Sequence, residues 1–229
     1  MKYDFQLTIN GERVPLVSHD ICLDDSRPGR ASFVVQSDTA LSGLVYFSFS
    51  INGKQQHGHF YGYVENSVAA SQSTQSLFCR EKSNLLEMSV PMALRHATLA
   101  DVLNAVKEQT GLDFTWAKQA SYSQQQVAHF VNTGSGFHLL NSLAKVFAIP
   151  DFTWMQKRDG SVFVGAWQDG HWSNSPISVP YDILDKQLAT KSAELLAIPG
   201  LRAGYQINGK RLHQVRLIDS KMVISWKKP

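Results

Sequence analysis

The order of apolar and polar residues changes character twice along the chain. From Tyr3 to about Val68 the two classes alternate with a period near two, and β-branched and aromatic side chains dominate, as half-buried strands require. Asn10-Gly11 follows FQLTI and Asn52-Gly53 follows LVYFSFSI, and this dipeptide supplies the positive φ angles of a tight hairpin. The second hairpin returns as HGHFYGYVENSV, where Phe60, Gly62 and Val64 alternate with His59, Tyr61 and Tyr63. Val68 to Gln75 reads as a Ser/Ala/Gln loop, and SLFCREKSNLLEMSV as a further strand running into a polar turn.

The first change comes at Thr98, which caps a helix with Asp101 three residues on, while Leu99, Val102, Leu103 and Val106 form one apolar stripe and Gly111 ends it. A second helix starts at Ser135 or Gly136 and carries Phe137, Leu140, Leu143, Ala144 and Phe147 at helical spacing, with Pro150 just beyond. FTWMQ, the turn Lys157-Arg158-Asp159-Gly160 and SVFVGAW then make a hairpin, so that an α/β module spans about Val90 to Trp167. DGHWSNSPISVP is a linker, and Tyr181 to Leu196 is too irregular in its apolar spacing to assign. The second change comes at Pro199, where period two resumes around Asn208-Gly209 and Asp219-Ser220. These last strands are too few for a sheet of their own and must pair with the N-terminal strands or with another chain.

Composition adds limits. With 229 residues, 43% of them hydrophobic and 18% charged, the chain can bury an ordinary core. The net charge of +3 is too small to argue by itself for a nucleic-acid surface. Cys22 and Cys79 lie outside any zinc spacing and read as reduced structural thiols. The N-terminal MKYDFQLTINGE has no apolar run of signal-peptide or membrane length, so synthesis as a soluble cytoplasmic protein is expected.

Candidate chemistry is sparse. His57-Gly58-His59 places two imidazoles on one face of a strand, as at the start of a metal site, but no spacing recommends His19, Asp20 or His96 as further ligands. The pair reads better as polar strand residues facing solvent or a neighbouring subunit. There is no GxSxG, and Gly134-Ser135-Gly136 reads as a helix cap; GxGxxG and GxxxxGK[ST] are also missing, so no cofactor is expected. Asp24, Asp25 and Glu87 are spare carboxylates whose ordinary reading is surface charge. Of the five tryptophans, Trp116, Trp154, Trp167 and Trp226 read as core, whereas Trp172 sits in the linker with few expected intrachain neighbours and is a candidate subunit contact together with His57 and His59.

Four stretches, in this order, carry a family resemblance. HGHFYGYVENSV resembles the strand that closes the first barrel of baseplate hub proteins of contractile phage tails. Leu77 to Leu86 resembles that family's Gly-Arg-Asp-Lys-Thr-Ala-Asp-Leu segment, with Cys79 where Gly is usual. Gly136 to Trp167 resembles its helix-plus-hairpin unit, and Ile198-Pro199-Gly200-Leu201-Arg202-Ala203-Gly204 its Pro-Gly-Leu-Arg-Pro-Gly turn. The chain is similar above all to the Mu-like tail hub, with relatives in the N-terminal hub of type VI secretion spike proteins.

The resemblance implies an α+β, mainly β fold: two β-barrel-like tube domains, residues 1–90 and 173–229, with an α/β module, residues 91–172, inserted between them. It further implies a non-enzymatic homotrimer in the virion tail baseplate, a pseudo-sixfold ring joining the hexameric tail tube to the trimeric spike. Its partners would be tail tube, spike or tip and tape-measure proteins, with DNA passing through the lumen without sequence-specific binding. The rival readings are a cell-wall or glycan-acting tail enzyme and a monomeric carbohydrate-binding or adhesion module.

Overall fold

The structure is a computed structural model that describes residues 1–180, 186–189 and 191–226. Residues 1–81 and 175–229 fall in one compact unit and residues 82–174 in a second.

The first unit begins with β1 (Tyr3–Ile9), β2 (Glu12–Val14), β3 (Leu16–Asp24), β4 (Arg30–Gln36), β5 (Leu44–Ile51), β6 (His57–Ala69) and β7 (Thr74–Glu81). Pairing runs β3-β4-β7-β6-β5-β1-β2, and β2 continues through Pro15 into β3, which joins the two ends of this run through the chain in a barrel-like arrangement whose β3 edge pairs with β16 and not with β2. The Pro15 carbonyl accepts from the Gln36 N–H at 2.9 Å, which holds the bend between β2 and β3. Asn10 and Gly11, like Asn52 and Gly53, both have positive φ, the geometry that sets the register of their hairpins. Phe33, Phe47, Phe49 and Phe60 are fully buried inside, with the Phe33 and Phe47 rings 5.6 Å apart.

The second unit opens with a 3-10 turn, Lys82–Glu87, and continues with β8 (Met92–Ala97), α1 (Leu99–Thr110), β9 (Phe114–Thr115), α2 (Ser121–Gln124), β10 (Val127–Asn132), α3 (Gly136–Val146), β11 (Phe152–Gln156) and β12 (Val162–Ala166). The predicted capping box is present: the Asp101 N–H donates to Thr98 Oγ1 at 3.3 Å and the Thr98 N–H to Asp101 Oδ2 at 2.9 Å. Gly111 closes α1 in the left-handed region at φ 71°. Ser135 caps α3 by accepting from the His138 N–H. Leu99, Val102, Leu103 and Val106 of α1 pack with Leu139, Leu140 and Leu143 of α3 in one apolar cluster, and Phe137 stacks on Trp154 at 5.7 Å. Two small sheets flank this cluster, β8-β10 and β11-β12-β9.

The chain then returns to the first unit as β13 (Lys186–Ala189), β14 (Ser192–Leu196), β15 (Gln206–Ile207), β16 (Lys210–Ile218) and β17 (Lys221–Trp226). Part of the unassigned stretch Tyr181 to Leu196 is thus the β13-β14 hairpin, while 181–185 and 190 lie outside the described residues. These strands do pair with the N-terminal ones: β16 joins β3, Asp20–Asp24, on the edge that β4 leaves open. Leu195, Leu212, Val215, Leu217, Met222 and Ile224 accordingly belong to the same hydrophobic cluster as Phe33 and Phe47.

Candidate functional site

Of the three residues proposed for a subunit contact, the structure buries His59 and Trp172 and leaves His57 half-buried. A β-bulge in β6 pairs Phe60 with Phe47 and Gly58 with Ser48, leaving His59 as the extra residue. His59 and Phe60 therefore both point inward, and the His59 ring is fully buried, edge-on to Phe49 at 5.5 Å. His57 shares that inward face and is half-buried opposite Phe49. The expectation that His59 faces solvent or a neighbour is thus corrected by the bulge, while His57 keeps part of its surface open. Trp172 is only 2% exposed, stands edge-on to Phe163 at 5.0 Å and donates from Nε1 to the Trp167 carbonyl at 3.0 Å. Gly170 makes this possible, because a Cβ there would lie 2.1 Å from the indole. The indole is occupied within its own module.

Among the described residues, no three His, Cys, Asp or Glu side chains are grouped to hold a metal ion. The spare carboxylates are engaged: Asp24 accepts from Arg30 Nη1 at 2.8 Å and Gln214 Nε2 at 2.6 Å, Asp25 from Arg211 at 3.2 Å, and Glu87 from Asn84 at 3.4 Å.

Two arrangements bring distant residues together. The first is buried. Arg202, in the Pro-Gly-Leu-Arg turn, donates from Nη2 to Glu81 Oε1 and from Nη1 to the His59 carbonyl, while Glu81 Oε2 accepts from the Gly29 N–H at 2.7 Å. Glu81 and Arg202 are 2% and 8% exposed. Burial pushes the Glu81 carboxyl above its ordinary range, and the guanidinium and Gly29 pull it back. Beside it, Gly62 lets the β6 backbone approach β7, since a Cβ there would fall 1.9 Å from the Arg80 carbonyl oxygen. The two segments quoted for the resemblance at Leu77–Leu86 and Ile198–Gly204 are thus joined by one ion pair, a link that pattern reading missed.

The second lies on the outward face of the same sheet. Register aligns Tyr63, Arg80, Arg30, Cys22 and Arg216 in one row across β6, β7, β4, β3 and β16. Asp20 and Asp24 flank Cys22 along β3; Asp20 pairs with Arg216, Asp24 with Arg30, and Glu65 with Arg80. The hydrogen bond from Arg216 holds the Asp20 carboxyl below its usual range, and burial pushes the Cys22 thiol up to about 11. A groove of about 250 Å³ lies over this centre, lined by Asp20, Cys22, Arg30, Ser32, Phe78 and Arg216 among others.

Comparison with known proteins agrees with this architecture. No family model matches the chain. A 58.7 kDa protein from the lys 3′ region of Haemophilus phage HP1 is 28% identical over 224 residues, covering 95% of this chain; the chain spans 40% of that relative's length. Among solved structures, the 43 kDa tail protein of prophage MuSo2 from Shewanella oneidensis has a TM-score of 0.69 at 10% identity, covering 97% of each chain. A tail protein from Neisseria meningitidis has a TM-score of 0.68 at 10% identity over 100% of this chain and 97% of its own. An E. coli component of the type VI secretion system, described as structurally similar to bacteriophage T4 tail proteins, has a TM-score of 0.60 at 12% identity over 97% of this chain and 79% of its own. The mainly β, α+β fold of this chain is that of these prophage and phage-like tail proteins, in line with the fold that the resemblance in its sequence implies.

Proposed function

We propose that the chain is a structural, non-enzymatic subunit of a phage tail or related injection machine, and within it the baseplate hub. The observation that carries this reading is the likeness to a prophage tail protein over nearly the whole of both chains, helical module included. Further support comes from the engagement of Asp24, Asp25 and Glu87 in hydrogen bonds and ion pairs, which leaves them poorly placed for general acid–base work.

In this reading three copies form a pseudo-sixfold ring between the hexameric tail tube and the trimeric spike. Residues 1–90 and 173–229 supply the tube-forming strands, and residues 91–172 an α/β module. The β13 strand, which pairs with β14 alone among the described residues, is the sort of sheet edge that assembly covers. The partners are tube, spike or tip and tape-measure proteins, and the location is the virion tail.

Light scattering on the purified chain, alone and co-expressed with tail tube and spike proteins, tests the proposal. A trimeric mass and ring-shaped particles in electron micrographs are the expected result. A chain that stays monomeric at high concentration and with both partners present overturns it.

A further inference from the structure

The tripeptide Ile-Asn-Gly occurs three times, at residues 9–11, 51–53 and 207–209, and in each copy both Asn and Gly have positive φ, as a tight hairpin turn requires. The copies differ in how the carboxamide is held. Asn10 donates from Nδ2 to the Ser42 carbonyl at 3.0 Å and accepts at Oδ1 from the Leu44 N–H at 2.9 Å. Asn208 donates from Nδ2 to the Val179 carbonyl and accepts at Oδ1 from the Val179 N–H, both at 2.9 Å. Asn52 is held at one end only: Oδ1 accepts from the Lys2 N–H at 2.8 Å, and Nδ2 has no partner among the described residues. Exposure does not make the same division, since Asn10 and Asn52 are both exposed.

We infer that Asn52-Gly53 is a site of spontaneous deamidation in the folded chain, and that paired hydrogen bonds protect the other two copies. Glycine has no side chain to shield its N–H from an approaching carboxamide carbon. The Gly53 nitrogen gives its proton to hydroxide and attacks Asn52 Cγ; the N–Cγ bond forms, the Cγ–Nδ2 bond breaks, and the side-chain nitrogen takes a proton from water and leaves as ammonia. Water then opens the cyclic imide at either carbonyl, giving aspartate or isoaspartate at position 52. Water and hydroxide are the only co-reactants. To meet the following nitrogen the carboxamide must rotate, which breaks two hydrogen bonds at Asn10 and at Asn208 but one at Asn52. The isoaspartyl product runs the main chain through the former side chain and lengthens a turn whose Asn52 N–H also donates to the Lys2 carbonyl at 2.7 Å, so it loosens the start of β1. This chemistry does not depend on the hub reading.

The test is peptide mapping by mass spectrometry of the full chain held at mildly alkaline pH, folded and in urea, following amide-to-acid conversion at positions 10, 52 and 208. Sharing the same tripeptide, the three should convert at similar rates in urea. In the folded chain position 52 should lead the others by roughly fivefold or more, the factor that one further hydrogen bond of ordinary net strength supplies. Its rate should rise with pH, and isoaspartyl methyltransferase should label the same peptide. Equal rates at the three positions in the folded chain overturn the inference, as does conversion led by position 10 or 208. A lead at 52 that persists unchanged in urea also overturns it, because flanking sequence would then be the cause. Gly53→Ala, whose added methyl meets no atom within 4 Å although φ is 70°, should slow conversion at 52 and leave the other two alone, with thermal melting to check that it is folded. An unchanged rate at 52 in the folded variant would sink the imide route.

Discussion

The two units are held together in different ways. In the α/β module, neighbours in sequence are largely neighbours in space: a capped helix, a second capped helix and a hairpin close around one apolar cluster. The barrel unit depends on partners far apart in the chain, since β3 must find β16 and Glu81 must find Arg202 across the whole module. Local order survives the loss of one long-range contact, whereas a sheet completed from both ends of the chain does not. The units should therefore respond separately to damage.

Substitution of Arg202 by Ala strikes the barrel hardest. It leaves Glu81 buried without its cation, and such breakage typically costs about 3–5 kcal/mol. Urea unfolding followed by amide hydrogen exchange should show barrel strands losing protection while α1 and α3 keep theirs; equal loss in both units would refute the distinction. Replacing both members, Glu81→Met with Arg202→Met, should be much milder. Leu103→Ala is the converse experiment. It opens a cavity in the module core at a cost of about 2–5 kcal/mol, to be read as loss of protection in α1 and α3 with β3 and β16 unchanged.

Thr98→Ala removes the capping box of α1 and should cost about 1 kcal/mol, again confined to the module. The most gradual effect is that of pH on the barrel. Burial against Phe5 and Phe47 depresses the pKa of His19, so the unfolded chain binds its proton more readily. Barrel stability should be full above the unfolded value of about 6.5 and decline as pH falls below it. Asp20 and Asp219 oppose this by favouring the imidazolium. His19→Phe should flatten the decline, and an unchanged pH profile in that variant would assign it to other groups.

The same contrast explains what was legible in the sequence. The capping box at Thr98, the Gly111 terminus and all three Asn-Gly turns are decided by residues within a few positions of one another, and each appears where the pattern puts it. The β8 strand was not read, because Pro91 precedes it and His96 sits at φ 50°, which interrupts the alternation. The outward reading of His59 failed for a related reason: one inserted residue at a bulge turns the side chain inward, and composition carries no mark of it. Trp172 was assigned few neighbours because Phe163 lies on another element and Gly170 reads only as loop. The Arg202–Glu81 pair spans 121 positions, and only the family resemblance had singled out both segments.

The place of Arg202 in the chain has a bearing on synthesis. A ribosome delivers β1 to β7 first, then a module able to close by itself, and only afterwards the arginine and β16. Until residue 202 emerges, Glu81 must stay hydrated and the outer edge of β3 must stay open. The contacts that complete this sheet thus reach the nascent chain only after the module, and a chain cut short by translation before residue 202 lacks both the Arg202–Glu81 pair and the β16 strand.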